Sequence, residues 1–374
     1  MSGTFDIVIG GQASADLASD MIALEVEESA DLPGAFRLTL PIKRGSGGDL
    51  DILGDSRLGP WSNIAVIAKA GDGPVQCIFD GYVLSQKVHL DTGTVASLLK
   101  VSGQDATWLM NVEEKTREWS DVTDGTVANS IFGDYDFAPD DGNLDDDSPA
   151  HAEHPHSLIQ RSSDAQFLQM LARRSGKLCR VFCTDTPGVR TGYFGKPKLD
   201  GDPGVVLTLN DAESATVGEL EFDWDVMRPN AVLARQALFD DDTPEGVGGS
   251  NTDTGLTPLG DLDLPTFAGK TVTSLLTTVV DDGGELTLRA QAVLRDASWF
   301  VRCQGKADAS RLGAILRVGA IVRLDAAGAV HSGNYLVWNV RHTLTAERHM
   351  MDFTLVRNAV GTPAPTGGLG GLGL

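Results

Sequence analysis

His151, Glu153, His154 and His156 fall close together and combine imidazole nitrogens with a carboxylate, a donor set that suits zinc or nickel. Pro155 interrupts the run, and the spacing is not the helical repeat that places two imidazoles on one face. Just upstream, Asp140 to Asp147 forms an acidic, glycine-containing run that invites comparison with a calcium loop. Set on the EF-hand template from Asp141, Asn143 and Asp145 fit. Asp146 then stands where glycine is required, and Ala152 where the closing glutamate is required. The whole stretch 138–156 therefore reads as a solvated loop. Cys179 and Cys183 lie four apart on a predicted strand, which puts both on one face; with no second pair to complete a site, they read as two small core residues. Any two of the 52 acidic residues could be offered as a hydrolytic acid and base, so no single pair is informative. No Gly-x-Ser-x-Gly elbow, phosphate loop or dinucleotide fingerprint occurs in a strand-to-helix context. The sequence assigns no catalytic, cofactor-binding or metal-binding residue.

The elements around these groups are mostly short strands. Phe36 to Leu40 alternates apolar and polar residues with period two, and Ile64 to Ala68 is a continuous apolar run of strand length. Gly71 to Pro74 is a turn cluster before a return strand at Gln76 to Phe79. Gly81-Tyr82-Val83 and Ser97 to Val101 flank a second turn at Asp91 to Gly93. This succession predicts a first β-barrel domain over 1–104. Residues 105–204 change character. Thr123-Asp124 precedes a helical face of Val127, Ala128 and Ile131, with Gly133 as its stop. Ser163 to Gln166 is a capping-box pattern that opens a helix carrying Phe167, Leu168, Leu171 and Ala172 on one side and ending at Gly176. A strand at Leu178 to Phe182 completes an α/β middle domain.

Strand patterning returns over 205–361. Leu220, Phe222, Trp224 and Val226 alternate with Glu221, Asp223 and Asp225. The span 240–270 reads as a long exposed loop, and Ala290 to Ala309 fits either a strand or a short helix. Ile321 to Leu324, Tyr335 to Thr343 and Phe353 to Val356 are three closing strands punctuated by Gly328 and Gly333. This segment is predicted to be a second β-barrel domain. Residues 362–374, a Gly-Leu tail, cannot bury enough apolar surface to fold alone. Two β-rich segments flanking an α/β insert suggest an internal duplication, although no residue-level repeat is evident between them.

At 374 residues the chain is long enough for two or three domains, and its 41% apolar residues can fill real cores. Aromatics at 6% and 43 glycines favour turn-rich β structure. A net charge of −22 argues against a phosphate-binding surface of clustered Lys and Arg, and against docking on an anionic membrane. No stretch approaches 18 apolar residues, which predicts no membrane span. Met1 to Gly11 lacks a secretory pattern. The four scattered cysteines, Cys77, Cys179, Cys183 and Cys303, accordingly suggest unpaired thiols in a reducing cytoplasm.

Three blocks, in this order and spacing, resemble the phage late control D family. The first is Gly81-Tyr82-Val83 followed by the strand at 97–101 and Gly103 to Met110. The second is the helical block Ser162 to Gly176. The third is His331 to Val337 through His342, with Phe353 to Asn358. The resemblance spans roughly residues 5–360. It implies a baseplate hub of a contractile phage tail, tailocin or related injection system, with the same module as the fused valine-glycine repeat spike proteins of type VI secretion. It further implies a mainly β fold with an α/β insert, two tube-like β-barrels per subunit and a homotrimer of pseudo-sixfold symmetry. Such a hub adapts a trimeric spike to the hexameric tail tube and forms part of the central channel. The implied partners are an inner tube protein, other baseplate components and a separate spike, since no oligonucleotide-binding domain or β-helix follows residue 361. The Gly-Leu tail would strap onto that spike. Assembly in a bacterial cytoplasm, incorporation into a tail or injection particle, no membrane, no specific nucleic-acid binding and no cofactor complete the expectation. Two other readings stay open: a tail-associated cell-wall hydrolase, and a carbohydrate- or calcium-binding β-sandwich.

Overall fold

The computed structural model describes residues 5–45, 47–92, 97–139, 142–151, 158–209, 215–236, 247–278, 280 and 283–361, the side chains of 236 and 247–250 excepted. The first segment supplies β1 (Phe5–Ile9), β2 (Gln12–Ala13), α1 (Ala15–Asp20), β3 (Ala23–Ser29), β4 (Ala35–Pro41), β5 (Asn63–Ala68), β6 (Gln76–His89) and β7 (Leu98–Asp105). Its strands lie in the order β3-β4-β7-β6-β5-β1-β2. Period-two patterning decides which face is buried. In β4, Phe36, Leu38 and Leu40 enter the core while Arg37 stays exposed.

The middle segment forms β8 (Glu114–Trp119), α2 (Asp124–Gly133), β9 (Leu158–Ser163), α3 (Asp164–Arg174), β10 (Leu178–Cys183) and β11 (Arg190–Gly195). Two hairpin-like pairs, β8–β9 and β10–β11, enclose the helices around a core of Trp119, Ile131, Phe132, Phe167, Leu168, Leu171 and Phe194. The capping reading holds: the Ser163 hydroxyl accepts from the Gln166 backbone N–H, and Gly176 adopts φ +59° just past α3. Gly133 differs from expectation. It is the last residue of α2, and the left-handed turn comes later, at Asp136 with φ 59°.

The third segment forms β12 (Val205–Thr208), β13 (Val217–Trp224), β14 (Ala231–Gln236), β15 (Val247–Asn251), β16 (Leu262–Asp263), α4 (Leu264–Ala268), β17 (Thr273–Leu276), α5 (Gly283–Ser298), β18 (Val301–Asp308), β19 (Ile321–Asp325), β20 (Gly333–Leu344), β21 (His349–Arg357) and β22 (Ala359–Val360). The expected loop over 240–270 holds regular structure in its described part. Residues 237–246 lie outside the described set, and the rest holds β15, β16 and α4. Val-Gly-Gly-Ser-Asn carries no alternation, and β15 exists because it pairs with β14 in a separate β15-β14-β17 sheet. Packed by α5, that sheet makes a second α/β unit around Val232, Leu286, Ala290 and Leu294. The ambiguity over Ala290 to Ala309 resolves into two elements: α5 ends at Ser298 and β18 begins at Val301.

The two β-rich segments are not separated by any gap in pairing. They join along β20–β3, from Asn339↔Ser29 to Leu344↔Leu24, and so build one 13-stranded sheet over one continuous core. From this seam outward the halves read β3-β4-β7-β6 and β20-β21-β18-β13. The correspondence extends to residues. Gly103 of β7 sits between Phe36 and Val83, and Gly305 of β18 sits between Phe353 and Leu220. A Cβ on Gly103 would meet the Phe36 ring at 2.7 Å, and one on Gly305 the Phe353 ring at 2.7 Å. Each glycine strand then ends in a capping aspartate: Asp105 accepts from the Thr107 N–H, and Asp308 from those of Ser310 and Arg311. Lys100-Val101-Ser102-Gly103 thus parallels Arg302-Cys303-Gln304-Gly305, a repeat that the circularly shifted strand order conceals in the linear sequence.

Candidate assembly surface

Alternate residues of the fused sheet point away from its core and form one broad polar face. β13 contributes Glu219, Glu221 and Asp223; β18 contributes Arg302, Gln304 and Lys306. Beyond them lie Asp352 and Thr354 of β21, Arg341 and Thr343 of β20, Glu25 and Glu27 of β3, and Arg37 and Thr39 of β4. The register turns these into cross-strand rows. Lys306 stands opposite Asp352, Asp352 opposite Arg341, and Arg341 opposite Glu27. The corresponding ion pairs measure 3.7 Å for Lys306–Asp352 and 3.4 Å for Arg341–Glu27, with Arg37–Glu25 at 3.2 Å. The row crosses the seam without interruption. Carboxylates and cations alternate along it, although the whole chain has 52 acidic against 30 basic residues. A groove of about 580 Å³ follows this face over β13, β18, β21 and β20. Side-chain exposures of 53% for Arg341 and 45% for Glu27 make each pair worth little energetically. The row specifies a hydrated, charge-compensated surface more than it adds stability.

On the opposite flank, the middle segment docks on β5 and β6 through buried charges. Asp80 Oδ1 accepts from Arg190 at 2.7 Å and from Asn63 at 2.8 Å, and Oδ2 accepts from the Gly188 N–H at 2.6 Å. Arg190 also donates to the Tyr82 hydroxyl at 3.0 Å and lies over the Tyr82 ring. Nearby, Arg317 donates to Glu28 at 2.7 Å and to the Cys183 carbonyl at 3.0 Å, tying both β halves to β10. Burial favours protonation of Glu28, but Arg317 and His342 outweigh it and hold the carboxyl below its ordinary range. Asp105 shows the other balance. Burial dominates and pushes it up to about 6 despite bonds from the Thr107 and Gly34 N–H groups. His342 Nδ1 and His349 Nε2 lie 2.9 Å apart in the core, where burial, with His342 alongside, pushes His349 down to about 3.

The residues singled out by chemistry are placed as follows. His151 is buried, with Nε2 2.8 Å from Asp124 Oδ1 and 2.9 Å from Arg174; Arg174 also pairs closely with Asp124. Its ring is thereby engaged in a structural cluster between α2 and α3. Glu153, His154 and His156, like Asp140 and Asp141, lie outside the described residues. Among the described residues no group of three or more His, Cys, Asp or Glu side chains could hold a metal ion. The described part of the presumed solvated loop, 142–151, is pinned down instead. The Asp145 carboxylate accepts from the Lys196 N–H at 2.6 Å, and Asp147 pairs with Lys177 at 2.5 Å and Lys196 at 2.9 Å. Burial opposes ionisation of Asp147, yet these two ammonium groups hold it at about 2. Acidic residues placed for solubility would face water; these are anchors because basic partners distant in sequence come to them. Of the two cysteines expected on one face as core residues, Cys183 is buried among Val8, Ala65 and Cys77, whereas Cys179 is half-buried against the middle core. The Asp80–Arg190 pair escapes sequence reasoning, because its partners are 110 residues apart and neither belongs to a motif.

A family model described as the Alg8 N-terminal domain matches residues 2–346. No curated protein matches the sequence. Among solved structures, the tail protein from Neisseria meningitidis MC58 is similar at TM-score 0.65 and 15% identity, over 96% of this chain and 99% of that one. The 43 kDa tail protein of prophage MuSo2 from Shewanella oneidensis gives 0.65 and 13%, with the same coverages. An E. coli component of the type VI secretion system, described as structurally similar to the T4 bacteriophage tail proteins gp27 and gp5, gives 0.54 and 13% over 96% of this chain and 79% of that one. At these identities the likeness establishes a shared fold across nearly the whole chain.

Proposed function

The chain belongs to the Alg8 N-terminal domain family, and we propose that it is a structural, non-enzymatic hub in the baseplate of a contractile tail or injection particle. The observation that carries this reading is the internally repeated sheet. A subunit holding two similar β halves, β3-β4-β7-β6 and β20-β21-β18-β13, presents two comparable units to its surroundings. Three such subunits around an axis present six. That is the geometric requirement for joining a threefold spike to a sixfold tube, and closed symmetric rings satisfy every interface at once. The alternating polar face, with its charge rows crossing the seam, suits the wall of a hydrated passage. The shared fold of phage tail proteins and a secretion-system component supports the same reading, and kinship with late control D hubs belongs to it.

The proposed partners are two further copies of the chain, an inner tube protein on one side, a separate spike on the other and neighbouring baseplate components. Assembly takes place in the bacterial cytoplasm before incorporation into the particle. Mass photometry of the purified chain, alone and with co-expressed tube and spike proteins, tests the proposal. Trimers that bind both partners are expected; a chain that stays monomeric and retains neither would sink it.

A further inference from the structure

Cys77 and Cys183 bring two thiols together across the joint between the first β half and the middle α/β unit. Their Sγ atoms lie 2.8 Å apart, and Cys183 Sγ also donates to the Cys77 carbonyl at 2.9 Å. Relative exposures of 0% and 5% place both among Val8 and Ala65, in a small apolar cluster outside the main core. The backbone is tied at the same point: the Cys77 N–H of β6 donates to the carbonyl of Thr184, the residue that follows Cys183, at 3.0 Å. The other two cysteines sit elsewhere, Cys179 against the middle core and Cys303 in the main core.

We propose that Cys77 and Cys183 are a site of intramolecular disulfide formation, closed by thiol–disulfide exchange with a small-molecule disulfide oxidant. One cysteine thiolate attacks the oxidant and releases its first thiol. The second cysteine thiolate attacks the resulting mixed disulfide and releases the other. The protein loses two electrons and two protons, and the oxidant leaves as two thiols. The Sγ–H of Cys183 is strongly retained, first through its bond to Cys77 and then through burial. Thiolate at Cys183 is therefore scarce and its attack slow. The pair stays reduced in a reducing compartment and closes only on prolonged contact with an oxidising one. The bond would link residues 106 positions apart and fix the middle unit to the sheet.

The test uses the full chain carrying Cys179→Ala and Cys303→Ala, incubated with oxidised glutathione under native conditions up to just below the unfolding temperature. A non-reducing peptide map should show the 77–183 cross-link. The oxidised protein should melt about 5 °C or more above the reduced one, the rise expected for closing so long a loop. Adding Cys77→Ser should abolish both changes. Two thiols still free after this treatment, a stable mixed disulfide with glutathione, or a cross-link that forms only in denaturant would each overturn the proposal.

Discussion

Replacing Arg190 by Met tests whether buried charge holds the middle unit on the sheet. Asp80 has 1% side-chain exposure and Arg190 12%, so removing the cation leaves a carboxylate that water scarcely reaches. Breaking such a pair from one side costs about 3–5 kcal/mol. Two bonds survive the change, from Asn63 and from the Gly188 N–H, and they retain part of the carboxylate's stabilisation. The lost contact with the Tyr82 ring adds about 0.5–1 kcal/mol. The expected loss is therefore about 3 kcal/mol. Asp80→Asn combined with Arg190→Met removes both charges and should recover about 2 kcal/mol of it. Urea unfolding followed by tryptophan fluorescence gives the global figure. Limited proteolysis across 184–189 reports the same opening locally, because this turn carries the Gly188 contact. A loss under about 1 kcal/mol for Arg190→Met, or a double variant as unstable as the two single losses added, would refute the reasoning.

Two further outcomes follow from packing and titration. Gly305→Ala should cost about 2–3 kcal/mol, because its Cβ would meet Leu220 at 2.6 Å and the Phe353 ring at 2.7 Å; Gly218→Ala on the partner strand, with nothing within 4 Å, should be near neutral, and equal urea midpoints for the two would remove the close-packing argument. Stability should also respond to pH in two opposed ways. His349, held near 3 against about 6.5 unfolded, makes stability fall by up to about 1.4 kcal/mol per unit as pH drops from about 6.5 toward 3. Asp105, raised to about 6, contributes stability that is complete below about 3.9 and lost as pH rises through 6. His349→Phe should flatten the acid-side fall and Asp105→Asn the opposite trend; unchanged slopes in urea titrations from pH 4 to 7 would show that these groups do not titrate as argued.

The sequence made the local elements legible wherever one face is buried. Phe36 to Leu40 alternates because the main core takes one face of it, and Ile64 to Ala68 runs apolar because the main core takes one face and the cluster of Val8, Ala65 and Cys77 the other; Ser163 to Gln166 announces α3 because its cap is local chemistry. Relations set by distant pairing were hidden. β15 has no pattern of its own and is defined by β14. The resemblance between β7 and β18 is masked because the β6–β7 hairpin follows β3–β4, whereas β13 and β18 precede β20–β21. Aligning Gly103 with Gly305 requires knowing that both face phenylalanines across a strand pair. The acidic run at 140–147 misled for the same reason. Its charges look solvated until Lys177 and Lys196 arrive from the other side of α3 and β11.

The seam alone leaves the two halves joined along a single line of pairing, six residue pairs between β3 and β20. Each half also carries an α/β insert, and the inserts grip one another. Gly176, at the end of α3, lies so close to α5 that a Cβ there would meet Ala292 Cα at 2.8 Å. Arg295 of α5 caps the same helix end, donating to the Ser175 carbonyl at 2.8 Å and the Gly176 carbonyl at 3.1 Å, while its Nε reaches Thr254 at 3.1 Å. Arg357, fully buried at the end of β21, binds the carbonyls of Ser332, Leu259 and Gly361 and so fastens the second insert to its own half. Rotation about the seam must therefore break buried, carbonyl-bound guanidinium contacts as well as a strand pair. In the proposed ring the angle between the two halves has to be fixed before assembly, and the described residues of these two inserts, none of which belongs to the polar face, hold it.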